Sequence, residues 1–293
     1  MENYISYFLS RHSYPKEACE AVLDAWSQLK KCDDVIKLID GFYKDENINI
    51  DREQGMLFES AKKYNVNFNT AKLTVYICLS KTLEEKYYAA GYSEEFWLEN
   101  IADLKIKMME CYDDHGVWGI FSAGWFGSVF RKGTFTIGRM CYNVVEYDGE
   151  DFSVGGTTVK KGDKFISIHI PSSGKPFDKN SRLESYRRAS EFFKISLFRC
   201  DSWLLFPINR DILKSNSNIV SFMDDFKIVK SHEYKDNSIM WRIFGSKYTL
   251  PAEELPRDSS LRKAYAELLS EGKRPGSGLG YFIYDKEKDD ILK

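Results

Sequence analysis

Residues 162–176 read GDKFISIHIPSSGKP and residues 198–207 read FRCDSWLLFP. In the first stretch Ile166, Ile168 and Ile170 fall on one face and Phe165, Ser167 and His169 on the other, the period-two alternation of a strand. Pro171 ends it, because proline has no N–H to give a sheet. The loop Ser172-Ser173-Gly174-Lys175-Pro176 leads to a helix with Ser181 as cap and Glu184 three residues on, the spacing of a capping box. Leu183, Tyr186, Ala189 and Phe193 form its buried stripe. The second stretch, Phe198 to Pro207, reads as another strand, too apolar from Trp203 to Phe206 to have a wet face and therefore central.

Outward from this strand–loop–helix–strand unit the pattern stays mixed. Upstream, Phe135, Ile137, Arg139 and Cys141 alternate against Thr136, Gly138, Met140 and Tyr142 in one run to Tyr147, ended by the hairpin signal Asp148-Gly149. A second strand pair is expected around Gly155-Gly156 and Lys161-Gly162-Asp163. Downstream, Asn209 to Phe226 reads as helical with a break at Ser215-Asn216-Ser217. Phe226 to Tyr234 and Ile239 to Phe244 alternate like paired strands about Lys235-Asp236-Asn237-Ser238. A capped helix runs from Ser259 to Glu271, and Tyr281 to Tyr284 makes a last strand.

The first 117 residues carry a different period. Ala18, Ala21, Val22, Ala25, Trp26 and Leu29 recur at three- and four-residue spacing after Pro15, and Val35, Ile36, Ile39 and Phe42 repeat the pattern. Asp51 is the expected cap of a third helix, Asn69 or Thr70 of a longer one closed by Gly91, and Ser93 of the next, which runs to the Asp113-Asp114-His115-Gly116 break. Residues 116–133 form a glycine- and aromatic-rich junction. The fold class is therefore α+β: an all-helical N-terminal domain, residues 1–131, followed by a mixed α/β domain with a central twisted sheet, residues 132–293.

Composition narrows the function. The 42 basic and 44 acidic residues among 293 give a net charge of −2, too balanced for generic nucleic-acid binding. No run of 18 apolar residues marks a membrane span. The six cysteines form no C-x-x-C pair and have no histidine at ligand spacing, so no metal site is expected and the cytoplasm is the expected compartment. Neither H-E-x-x-H nor G-x-S-x-G is present, against metalloprotease and serine hydrolase chemistry. Residues 275–280, PGSGLG, have the reverse order of a dinucleotide fingerprint and read as a flexible turn.

The order of elements, with GRMCYNVVEY at 138–147, GDKFISIHIPSSGKP, CDSWLLFP at 200–207 and SNIVSFMDDF at 217–226, resembles bacterial two-domain GNAT-like acyltransferases. The resemblance covers essentially the whole chain. It implies that the pantetheine of an acyl-CoA lies between two splayed strands, Phe165 to Pro171 and Phe198 to Pro207. It also implies that the pyrophosphate sits on the loop from Ser172 to Ser181, where free N–H groups and the helix dipole favour an anion. Ile170, Pro171, Ser172, Ser173, Gly174, Lys175 and Arg182 are the cofactor-binding candidates, and acetyl-CoA or another acyl-CoA is the expected co-substrate. SSGKP departs from the superfamily's usual glycine-rich loop. The implied acceptor is a small-molecule or peptide amine, or a hydroxyl.

His169, beside the end of a central strand, is the candidate general base, since an imidazole can accept a proton near neutral pH. Asp201 and Ser202 on the neighbouring strand are further catalytic candidates, Ser202 as a hydrogen-bonding acid toward the leaving thiolate. A Cys200–His169 nucleophile pair defines a hydrolase alternative, and a catalytically silent binding or scaffold protein is a third reading. Arg139, expected on an apolar strand face, needs a carboxylate or a bound anion as partner.

Overall fold

The computed structural model describes residues 1–44 and 53–293. They form two units, divided between Phe135 and Thr136. The first contains α1 (Glu2–Arg11), α2 (Lys16–Leu29), α3 (Asp33–Tyr43), α4 (Gln54–Lys63), α5 (Phe68–Ala89), α6 (Glu94–His115) and the short α7 (Phe126–Phe130). Helix α5 is its core because it is buried along most of its length: Leu73, Val75, Tyr76, Ile77, Leu79 and Leu83 are buried together with polar Lys72, Thr74, Ser80 and Glu84, and α1, α2, α3, α4 and α6 pack on it. Its cap is Asn67, whose side chain accepts from the Asn69 and Thr70 amides, rather than either of those residues themselves. Ser93 caps α6 by accepting from Phe96 N, and Gly116, at φ +66°, closes it. The expected cap Asp51 lies outside the described residues. No helix among the described residues is long and apolar enough to cross a membrane.

The second unit is built on a sheet. Its elements are β1 (Thr134–Ile137), which straddles the division, β2 (Met140–Glu146), β3 (Phe152–Val154), β4 (Thr157–Val159), β5 (Lys164–His169), α8 (Lys179–Phe193), β6 (Leu197–Ser202), α9 (Asn209–Ile212), α10 (Asn218–Met223), β7 (Lys227–Glu233), α11 (Trp241–Phe244), α12 (Ser260–Ser270), β8 (Gly276–Asp285) and β9 (Asp290–Leu292). The sheet order is β1-β2-β5-β6-β8-β7, with β9 on β8 and the β3–β4 hairpin separate. Strands β5 and β6 are parallel, joined through α8. Under α8, Tyr186 packs on Phe198 and Phe282, whose rings stack at 4.8 Å. On the opposite face Val154 and Val159 of the hairpin close over Phe165, Leu197 and Tyr281.

Several expectations are corrected. The run from Phe135 to Tyr147 is two strands, because Gly138 at φ +67° turns the chain, so Arg139 sits in a turn and not on a strand face. Strand β2 pairs with β5, and Asp148-Gly149 begins the excursion into β3–β4 rather than a tight hairpin. Residues 239–244 are helical: Met240, Ile243 and Phe244 pack at helical spacing against Leu255, Tyr265 and Leu268, and β7 pairs with β8 instead. Strand β6 stops at Ser202, where Trp203–Leu205 form a 3₁₀ turn.

The PGSGLG segment opens β8 and is not a flexible turn. Its glycines alternate on one strand face so that neighbouring chain can come close. A Cβ on Gly278 would lie 2.1 Å from Leu205 O, and one on Gly280 would lie 2.8 Å from Phe226 Cβ.

Candidate functional site

The parallel ladder between β5 and β6 holds only two residue pairs, Ile166 with Phe198 and Ser167 with Arg199. Each strand then follows its outer neighbour: His169 stays in register with Cys141 of β2, while Cys200, Asp201 and Ser202 stay in register with Gly280, Leu279 and Gly278 of β8. The inner edges diverge. Across the gap Cys200 Sγ points at Ile168 O at 3.8 Å. Backbone groups on such edges require other partners.

His169 stands at this opening, exposed, with Nε2 2.7 Å from Asn143 Oδ1. With that oxygen as acceptor, Nε2 carries the proton and Nδ1 keeps its lone pair. Burial of the ring's surroundings, and then the charge of Arg199, hold the imidazole pKa below its ordinary value, so His169 is neutral at neutral pH. The pairing register places Asn143, Ser167, His169, Arg199 and Asp201 on one sheet face. Asp201 Oδ1 accepts from Ser277 Oγ at 2.6 Å, and its other oxygen lies 3.8 Å from Arg199.

Ser202 is on the opposite face from His169, and its Oγ accepts from Leu204 N to cap the 3₁₀ turn. The structure therefore brings Asp201, but not Ser202, to the face of His169. Cys200 shares the face of Ser202, opposite His169. It is fully buried, and burial drives its thiol pKa far upward, which leaves it without the thiolate a nucleophile needs. Asn143, Arg199 and Ser277 escaped the sequence reading. A polar Asn143 between Cys141 and Val145 in an apolar strand was the available signal.

The loop after β5 differs locally from its sequence reading. Helix α8 begins at Lys179 with Asp178 as cap, its Oδ1 accepting from Ser181 N at 3.0 Å. Ser181 instead donates to Pro176 O and Asp178 O, and Glu184 pairs with Arg187 rather than closing a capping box. Ile170, Pro171, Ser172, Ser173, Gly174 and Lys175 lie along the loop, with Gly174 at φ +68° and open space around it. Lys175 Nζ reaches Gly138 O at 3.4 Å.

Arg182 is fully buried and points away from any ligand role. Its guanidinium donates to both carboxylate oxygens of Asp225, at 2.7 and 3.3 Å, and to Phe177 O, Ser221 O and Ser221 Oγ. Tyr186 adds a hydroxyl to the same carboxylate. These contacts occupy all three of its nitrogens. Arg139, by contrast, meets no carboxylate among the described residues: Nη1 donates to Pro171 O at 2.9 Å, the guanidinium covers the Phe177 ring at 5.0 Å, and Nε is buried without an acceptor.

Residues 134–282, more than half of the chain, match the family profile of the GNAT-like C-terminal domain, and residues 4–132 match the N-acyltransferase N-terminal domain. The chain belongs to this GNAT-like family. No curated protein matches it. Among solved structures, an acyltransferase in complex with decanoyl-CoA is 21% identical with a TM-score of 0.74, covering 94% of this chain and 86% of that one. An acyltransferase in complex with decanoyl-CoA and teicoplanin aligns over the same shares at 19% identity and TM-score 0.74, and a variant acyltransferase in complex with octanoyl-CoA does so at 20% and 0.74. At these identities the likeness establishes the fold, in which the GNAT-like unit carries its parallel strand pair and the loop after β5.

Proposed function

We propose that this GNAT-like chain transfers an acyl group from an acyl-CoA to an amine or hydroxyl acceptor, with His169 as general base. The observation that carries this reading is the opening of β5 from β6 after two residue pairs, with a neutral histidine at its edge. The strand edges beyond that ladder suit the two amides of a pantetheine arm, which would complete a sheet edge in the manner of an added strand. The thioester carbon is thereby held beside His169.

The acceptor nitrogen attacks that carbon and gives its proton to His169 Nδ1 as the new N–C bond forms. Collapse of the tetrahedral intermediate breaks the C–S bond, and the departing thiolate takes the proton held on His169, leaving as free CoA and restoring the neutral imidazole. Asn143 fixes the ring through Nε2. Asp201, on the same face and anchored by Ser277, is placed to bind a cationic acceptor, and Ile170, Pro171, Ser172, Ser173, Gly174 and Lys175 line the route of the phosphates.

The bound ligands of the similar structures suggest which substrates to try. Octanoyl- and decanoyl-CoA are the donors to test beside acetyl-CoA, and a small-molecule or peptide amine is the acceptor class. An intracellular donor and six free cysteines fit the cytoplasm. Calorimetric titration tests the donor site: saturable binding of decanoyl-CoA and CoA is expected. Absence of binding by any of these CoA species at millimolar concentration would leave the fold with a scaffold role.

A further inference from the structure

The turn between β1 and β2 holds a cation that lacks a counter-ion among the described residues. Arg139 is only 9% exposed, yet its one hydrogen bond goes to a neutral carbonyl, Pro171 O, and its Nε is buried without an acceptor. Burial pulls its pKa below the ordinary arginine value, although a guanidinium remains charged at neutral pH. Arg182, on α8 after the same loop, shows the usual solution, with Asp225 chelated by two of its nitrogens. A desolvated guanidinium with no carboxylate calls for an anion from outside the chain.

We propose that Arg139 is the phosphate anchor of the acyl-CoA site, binding a phosphate oxygen of the coenzyme held over the 171–177 loop. This rests on the acyl-CoA reading given above and assigns its charge recognition to a residue outside the loop itself. Two observations converge on it. Arg139 touches the loop at both ends, at Pro171 and at Phe177. Lys175 approaches from the other side to Gly138, the residue before Arg139, so two cations meet where turn and loop touch.

The helix terminus offers less to an anion than a bare one. Asp178 already holds the Ser181 amide and places a carboxylate at the start of α8, and Arg182, the other basic candidate, is consumed by Asp225. Positive charge for a phosphate must come from side chains, and Arg139 supplies it with planar geometry suited to phosphate oxygens.

The test compares CoA, 3′-dephospho-CoA and an acyl-pantetheine as ligands of the full chain, wild type against Arg139→Gln and Arg139→Lys, by calorimetry. Arg139→Gln is expected to weaken CoA roughly 10- to 100-fold, the scale of a charge-assisted hydrogen bond, and to leave acyl-pantetheine affinity unchanged. If the loss persists with 3′-dephospho-CoA the contact is to the pyrophosphate; if it vanishes the contact is to the 3′-phosphate. Either result supports the anchor.

Equal weakening of CoA and acyl-pantetheine would overturn it, reducing Arg139 to a clasp on the loop, and so would no change in either. Should Arg139→Gln fail to fold, Arg139→Lys carries the same comparison, because an ammonium keeps the charge but lacks the planar fork whose separate nitrogens reach Pro171 O and a phosphate oxygen. A wild type that binds none of the three ligands removes the acyl-CoA reading itself. Binding of CoA with an indifferent Arg139→Gln removes only the anchor.

Discussion

Replacing Arg182 by Met separates a structural arginine from a ligand-binding one. The substitution removes five hydrogen bonds and leaves Asp225, only 4% exposed, as a buried carboxylate whose remaining partner is Tyr186. Breaking one side of a buried ion pair costs about 3–5 kcal/mol. At about 2–4 °C per kcal/mol for a domain of this size, the melting temperature falls by roughly 6–20 °C. Arg182→Met combined with Asp225→Leu removes both charges and recovers most of the loss, apart from about 1 kcal/mol for the stranded Tyr186 hydroxyl. Thermal unfolding of the wild type, both single variants and the double variant supplies the cycle. A melting temperature unchanged within about 2 °C in Arg182→Met, together with collapsed CoA affinity, would refute the reasoning and return Arg182 to the phosphate site.

Gly278→Ala drives a methyl into Leu205 O, 2.1 Å from its ideal position, and is expected to destabilise by about 3 kcal/mol or more. Gly124→Ala, with nothing within 4 Å, is expected to stay within about 0.5 kcal/mol. Chemical denaturation checks both. Cys200 is expected to resist a thiol reagent at neutral pH in the folded protein while the partly exposed Cys19 reacts first. Rapid stoichiometric labelling of Cys200, followed by peptide mass spectrometry, would revive the thiol-hydrolase chemistry.

Long periodic elements were readable because their signals are local. The stripes of α2 and α3, the caps Ser93 and Ser259, and the alternation of Phe165 to His169 each depend on residues a few positions apart, and each element forms as the pattern requires. The Gly138-Arg139 turn escaped because a two-residue turn preserves period two: Ile137 and Cys141 keep their phase across it. Residues 239–244 are too short for period alone to separate helix from strand, and their packing against α12 decides. The glycines of β8 conceal a strand, since their role is the close approach of Leu205 and Phe226.

The site was legible only where one residue sufficed. His169 stood out by its place at a strand end. Its partner Asn143 is 26 residues away, across an antiparallel pairing, and no local pattern encodes that register. The same holds for Arg182 and Asp225, 43 residues apart. Seen in the chain, Arg182 is a basic residue near a loop. In the fold it is half of an ion pair, while Arg139 meets no carboxylate among the described residues.

The most direct measurement is acceptor-dependent release of free CoA thiol from decanoyl-CoA, followed across pH for wild type and His169→Ala. The base must be unprotonated, and burial and Arg199 lower its pKa, so wild-type kcat/KM should be level at neutral pH and fall only below the ordinary histidine value of about 6.5. His169→Ala should bind decanoyl-CoA as tightly as wild type, lose roughly 10²- to 10⁴-fold in kcat and lose that acid limb. Equal turnover in the two proteins, or an acid limb that survives in His169→Ala, would contradict an acyl transfer that runs through His169 at the opening of β5 and β6.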